Sequence, residues 1–279
     1  GLTVVAVGTS APELVVTLGS AWEGSADMAL GNILGSNVAN TLLILGVCAL
    51  YTPLALKRTM RRREIPFVLL ATLVLAVLVN DGAVSGAPVS LLSRGDGLAL
   101  LGYFAVYMYY MFSLSKEVGG EPQSPVTRKS MPVAGLMLLA GIACLALGGR
   151  WVVSGASAIA LDLGMSEALI GLTVLAVGTS LPEIATSVAA VVQGDADMAV
   201  GNVVGSNVFN ILWILGISAT ITPLGYNPML NLDMILLILA TILFFVFTFT
   251  GKRHRIDRLE GTCFLFLYIA YIGFLLLRG

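Results

Sequence analysis

Nine stretches of this chain are apolar over about the 20 residues that a helix needs to cross the hydrocarbon core of a bilayer. They fall at 2–22, 27–50, 65–80, 96–114, 132–160, 166–192, 197–221, 230–250 and 260–278. Each predicts a transmembrane helix. Polar breaks between them are mostly short. The break at 115–130 differs, because it holds Lys116, Glu117, Gly119, Gly120, Pro122 and Pro125. It reads as a linker, dividing the chain into a first unit at 1–114, the linker at 115–130 and a second unit at 131–279.

The two units share a text. Residues 1–54 return at 171–224 with a constant offset of 170 and no gap, and 31 of the 54 positions are identical. The segment Gly8-Thr9-Ser10-Ala11-Pro12-Glu13 returns as Gly178-Thr179-Ser180-Leu181-Pro182-Glu183. Gly31-Asn32-Ile33-Leu34-Gly35-Ser36-Asn37-Val38-Ala39-Asn40 returns as Gly201-Asn202-Val203-Val204-Gly205-Ser206-Asn207-Val208-Phe209-Asn210. An internal repeat in an apolar chain points to a transporter's binding site. The second copy is preceded by the apolar run 132–160, and the first copy has no such run. The symmetry therefore predicts one further upstream helix, and about ten spans in a full protein.

Composition fixes the solvent. The chain of 279 residues is 57% hydrophobic and 11% charged, with a mean hydropathy of +0.94. Soluble domains carry about 25% charged residues, so a polytopic all-α membrane protein is expected. The net charge of −1 gives no reason to expect a nucleic-acid partner. Cys48, Cys144 and Cys263 lie in apolar runs and read as packing residues, and no cofactor is implied. The basic residues are unevenly placed. Twelve of the 15 fall in three alternate connections, at 57–63, 116–129 and 252–258. The positive-inside rule places these loops in the cytoplasm. The turn at 22–26 then faces outward and its copy at 192–196 faces inward, so the two repeats are inverted. Units of five helices give that inversion.

The chemistry concentrates in the repeated segments. Glu13 and Glu183 sit inside apolar runs, where an acid costs about 2.5–3.5 kcal/mol on insertion scales. Neither motif helix contains a Lys or Arg to pair with. Thr9 and Glu13 are four residues apart, as are Thr179 and Glu183, a spacing that shares a helix face. Ser10 and Ser180 lie beside them, and Ser36/Asn40 and Ser206/Asn210 repeat the same spacing. All offer oxygen, which suits hard cations such as Ca2+ and Na+. Taken singly, the hydroxyls could equally bond the preceding turn or glue helices together. Pro12 and Pro182 disrupt the helix about four residues back. That frees main-chain oxygens near Gly8 and Gly178, in the turns that hold Ala6 and Ala176. Gly31/Gly35 and Gly201/Gly205 read as close-packing pairs that bring helices together. Asn32, Asn37, Asn202 and Asn207 are assigned to capping or packing, behind Asn40 and Asn210.

At these residues the chain resembles the cation/Ca2+ exchanger superfamily, in its prokaryotic sodium/calcium exchanger branch. The resemblance implies a fold of two inverted five-helix repeats, with nine helices in this chain, in the inner membrane of a prokaryote. It implies exchange of Ca2+ for Na+ by alternating access, with those ions as the partners and no enzyme activity. Its ligands would be Glu13, Thr9, Ser10, Ser36 and Asn40, with Glu183, Thr179, Ser180, Ser206 and Asn210. Main-chain oxygens of Ala6 and Ala176 would join them. Some relatives carry Asp at one of the two Asn positions, whereas here both are amides. The alternatives are H+ in place of Na+ as the counter-ion, a passive cation channel, and an intramembrane hydrolase. The last lacks a His or Lys beside Ser10 or Ser180.

Overall fold

The computed structural model describes residues 6, 8–86, 89–117, 131–250 and 255–278. Most of the first motif's opening residues, linker positions 118–130 and loop positions 252–254 lie outside them. Over their described residues, the nine apolar runs are largely helical. The helices are α1 (Ala11–Trp22), α2 (Ala26–Tyr51), α3 (Ile65–Leu78), the short α4 (Asp81–Ser85), α5 (Arg94–Glu117) and α6 (Met131–Asp162). They continue with α7 (Glu167–Thr179), α8 (Leu181–Val192), α9 (Ala196–Ile221), α10 (Asn231–Thr250) and α11 (Arg258–Arg278). Among the described residues four helical stretches are long and apolar enough to span a bilayer. The bent pair of α7 and α8 makes a fifth.

The sequence repeat is also a repeat of elements. The α-helical start of α2, Ala26–Val38, corresponds to Ala196–Val208 in α9. A π-helical turn follows in each, at Ala39–Ile44 and Phe209–Ile214. Each helix then ends in a two-residue strand, β1 (Leu54–Ala55) or β3 (Leu224–Gly225). The turns that precede α2 and α9 match too. Gly24 and Gly194 hold φ +84° and +83°, a left-handed geometry that a Cβ disfavours. Behind them Ser25 N–H reaches Ser20 O and Asp195 N–H reaches Ala190 O, each at 2.9 Å. Those bonds satisfy carbonyls left over at the ends of α1 and α8.

α2 and α9 form the centre, with 83% and 72% of their most apolar windows buried, against 39% and 28% for the last two spans. The two central helices run antiparallel. Asp197 at the start of α9 pairs with Lys57, just past the end of α2, at 2.9 Å. Asn227, just past the end of α9, donates to Asp27 at the start of α2, also at 2.9 Å. Two small ladders tie the units together. β1 pairs with β4 (Arg255–Ile256), and β2 (Leu91–Leu92) pairs with β3. The first ladder brings Leu54–Ala55 and Arg255–Ile256 to one end of the molecule.

The glycine pairs act between units. A Cβ on Gly35 would stand 2.5 Å from Leu172 O and 2.6 Å from Ala176 Cβ. One on Gly171 would stand 2.8 Å from Met28 O. α2 and the first half of the second motif thus meet backbone to backbone. Small residues make such an approach possible where no hydrophobic force draws helices together. Gly205 faces Ala6 Cβ at 3.1 Å, a looser version of the same contact. Gly35→Ala is expected to cost about 1–3 kcal/mol by overpacking, and Gly205→Ala less. Thermal melts of the two purified variants against the parent check the order. An equal or reversed order would mean that the α2–α7 contact is not close-packed.

Candidate cation-binding centre

The second motif helix breaks where its proline requires. Ser180 has φ −81° and ψ 2°, Pro182 occupies the first turn of α8, and α7 and α8 are bent by 42°. Ser10 holds the matching φ −83° and ψ 10°, with Pro12 in the first turn of α1. Proline has no N–H for the carbonyl one turn back, and it suits a helix start. Each break places a serine at the joint and a glutamate in the first turn beyond it.

The joints meet across the repeat. Glu13, Glu183, Ser10, Ser180, Ser36, Ser206, Asn40 and Asn210 are fully buried, with Thr9 and Thr179 nearly so. Ser10 Oγ donates to Glu183 Oε1 at 2.8 Å, and Ser180 Oγ donates to Glu13 Oε1 at 3.3 Å. Each glutamate is thus held by the serine of the other unit. Ser206 Oγ adds a second bond to Glu183 Oε1 at 3.3 Å. The remaining oxygens, Glu13 Oε2 and Glu183 Oε2, are buried without a partner. Among the described residues neither glutamate has a salt bridge. A buried carboxylate oxygen with no donor is costly, and a proton or a bound cation removes the cost.

The amides form a second layer. Asn40 Nδ2 donates to Asn207 Oδ1, and Asn210 Nδ2 donates to Asn37 Oδ1, both at 3.1 Å. This leaves Asn40 Oδ1 and Asn210 Oδ1 buried and unpartnered. With Glu13 Oε2 and Glu183 Oε2 these make four buried oxygens without donors, and Asn202 Oδ1 is another. Among the described residues no three His, Cys, Asp or Glu side chains gather, so neutral oxygens complete the set. The π-helical turns carry Asn40 and Asn210. Such turns shift side chains out of α-helical register and recur at functional sites.

Other predicted residues fall differently. Neither threonine hydroxyl bonds the glutamate four residues along its own segment. Thr179 Oγ1 lies 3.3 Å from Ser36 Oγ and 3.2 Å from Asn32 Oδ1, on the first unit's α2. Thr9 Oγ1 turns back to Ala6 O at 3.3 Å. The carbonyls of Ala6 and Ala176 already accept from Ser10 N–H and Ser180 N–H at 3.0 and 3.2 Å, and Ser36 Oγ also reaches Ala176 O. Each carbonyl thus already accepts a main-chain and a hydroxyl bond, and an ion would take the place of the hydroxyl. Asn32 and Asn202 pack as expected, donating to Thr17 and to Thr186 and Ser187. Asn37 and Asn207 do more than pack, because they hold the amides of Asn210 and Asn40. Their place in the repeated segment is the signal, but the partner across the repeat is not written in it.

Comparison with known proteins places the chain in a family. The sodium/calcium exchanger protein family matches residues 1–113 and 133–277. The inner membrane protein YrbG of Escherichia coli is 37% identical over 88% of this chain and 76% of its own length. The sodium/calcium exchanger MaX1 of Methanosarcina acetivorans is 30% identical over 98% of this chain and 87% of its own. The structure of the sodium-calcium exchanger NCX_Mj soaked with Na+ and Ca2+ superposes with a TM-score of 0.78 at 31% identity. That match covers 98% of this chain and 85% of the other. The chain belongs to the sodium/calcium exchanger protein family.

Proposed function

We propose that this protein is a secondary antiporter that exchanges Ca2+ for Na+, holding both ions between Glu13 and Glu183. The observation that carries the reading is the reciprocal grip on these glutamates. Each has one oxygen tied to a serine of the opposite repeat and one left without a donor. The remaining ligands are Asn40 and Asn210, with hydroxyls from Ser10, Ser180, Ser36, Ser206, Thr9 and Thr179 and the carbonyls of Ala6 and Ala176. Ca2+ takes six to eight oxygens, and this set can supply them.

Charge gives the coupling rule. Two ionised glutamates carry a charge of −2, which one Ca2+ or two Na+ neutralise. Unloaded, they would face each other as like charges in a medium of low dielectric. The protein should then pass between its two open states only when loaded, which is what exchange without leak requires. The fold we assign is two inverted five-helix repeats, with the basic loops 57–63, 116–129 and 252–258 in the cytoplasm. The antiparallel run of α2 and α9 supports the inversion. The pairing of β1 with β4 supports the common side of two of those loops. Each repeat lends a serine to the other's glutamate, so movement of one repeat changes the ligand set of both.

Uptake of 45Ca2+ into Na+-loaded proteoliposomes tests the reading. The parent should take up Ca2+ when Na+ is higher inside and not when it is equal on both sides. Glu13→Gln and Glu183→Gln should each reduce uptake at least about a hundredfold, since either leaves a single charge in the centre. Near-normal uptake by either variant would remove the glutamates from the mechanism. A pH gradient alone should drive little uptake. If it drove uptake as well as Na+ does, H+ would replace Na+ as the counter-ion. Uptake that ignored both gradients would describe a channel.

A further inference from the structure

The two central amides are not equivalent. Thr41 lies one turn beyond Asn37, and its hydroxyl donates to the Asn37 main-chain carbonyl at 2.8 Å. With its one proton committed, Thr41 Oγ1 can only accept from any further partner. That partner is Asn207, whose Nδ2 donates to Thr41 Oγ1 at 2.9 Å. Asn207 must then turn Oδ1 the other way, where it accepts from Asn40 Nδ2 at 3.1 Å. Asn40 is left with Oδ1 free and buried. The direction of every bond follows from the one before it, starting at a backbone carbonyl that cannot donate.

The second repeat breaks the relay at its first member. Ile211 stands where the symmetry would place a threonine. Asn37 accepts from Asn210 at 3.1 Å, but its own Nδ2 has no partner among the described residues. Exchanging oxygen and nitrogen on both Asn37 and Asn210 keeps one hydrogen bond between them. The Asn210 amide can therefore turn, while the Asn40 amide cannot turn without losing the bond to Thr41.

We propose that Thr41 and Asn207 are positioning residues that hold the Asn40 carbonyl oxygen on the transported cation, making Asn40 the fixed neutral ligand of the centre. This rests on the reading of the centre as a Ca2+ site. Without Thr41, Asn207 is free to invert and Asn40 follows it. Asn40 then turns an N–H toward the site, which suits an empty carboxylate and opposes a cation.

Calorimetric titration of the purified full chain with Ca2+ tests the assignment. Thr41→Val should weaken binding about fivefold, the worth of one buried hydrogen bond, and Thr41→Ser should restore it to within about twofold. The deciding arms are double variants. Thr41→Val should add almost nothing to Asn40→Ala, because its effect runs through Asn40, and should keep its full effect beside Asn210→Ala. An effect that persists in the Asn40→Ala background overturns the assignment. So does a Thr41→Val change below about twofold, or a failure of Thr41→Ser to restore binding. A parent chain that binds no Ca2+ overturns the functional reading and this inference with it. A parent that binds Ca2+ with additive variants overturns this inference alone.

Discussion

Two carboxylates share the fully buried centre of this protein, with no basic side chain paired to either among the described residues. In an apolar chain that arrangement is the constraint the rest must satisfy. An unpaired buried charge is among the most expensive groups a protein can hold. Here half of each carboxylate is answered by a serine hydroxyl from the opposite repeat. The other half has no donor among the described residues. The helix breaks at Ser10 and Ser180 exist where those hydroxyls must arrive. The glycines of α2 let the two motif segments approach closely enough for the exchange of partners, and the amides close the layer above.

The symmetry of the repeat is real but unequal. Ser10 reaches Glu183 at 2.8 Å, while Ser180 reaches Glu13 at 3.3 Å. Gly35 leaves no room for a Cβ beside Ala176, while Gly205 nearly admits one beside Ala6. Asn207 is anchored by Thr41, while the Asn37 amide nitrogen has no such anchor among the described residues. The looser contacts at Gly205 and Ser180 are differences of packing. The contrast between Thr41 and Ile211 is of another kind, because it is written in the sequence and persists through every state.

Much of this architecture is legible in the amino-acid sequence. Length and spacing of the apolar runs locate the helices, because crossing a bilayer leaves little choice of element. The repeat locates both glutamates and the buried Asn40 and Asn210, since a polar residue kept twice inside an apolar run needs a polar reason. The partners of Thr179 are not legible in its spacing, because Ser36 and Asn32 belong to the other unit. The contacts across the repeat are the least legible part. Asn37 and Asn207 read as packing residues because their partners lie more than 160 positions away. No spacing rule reaches across two helices that meet antiparallel.

Crystallographic location of Ca2+ in the protein tests the central claim most directly. A single strong Ca2+ peak should lie between the repeats, within about 2.3–2.6 Å of Glu13 Oε2 and Glu183 Oε2. The Asn40 carbonyl oxygen should be in its shell. A peak bound to one glutamate alone, or a centre that stays empty at saturating Ca2+ with both serine bonds unchanged, would contradict the account.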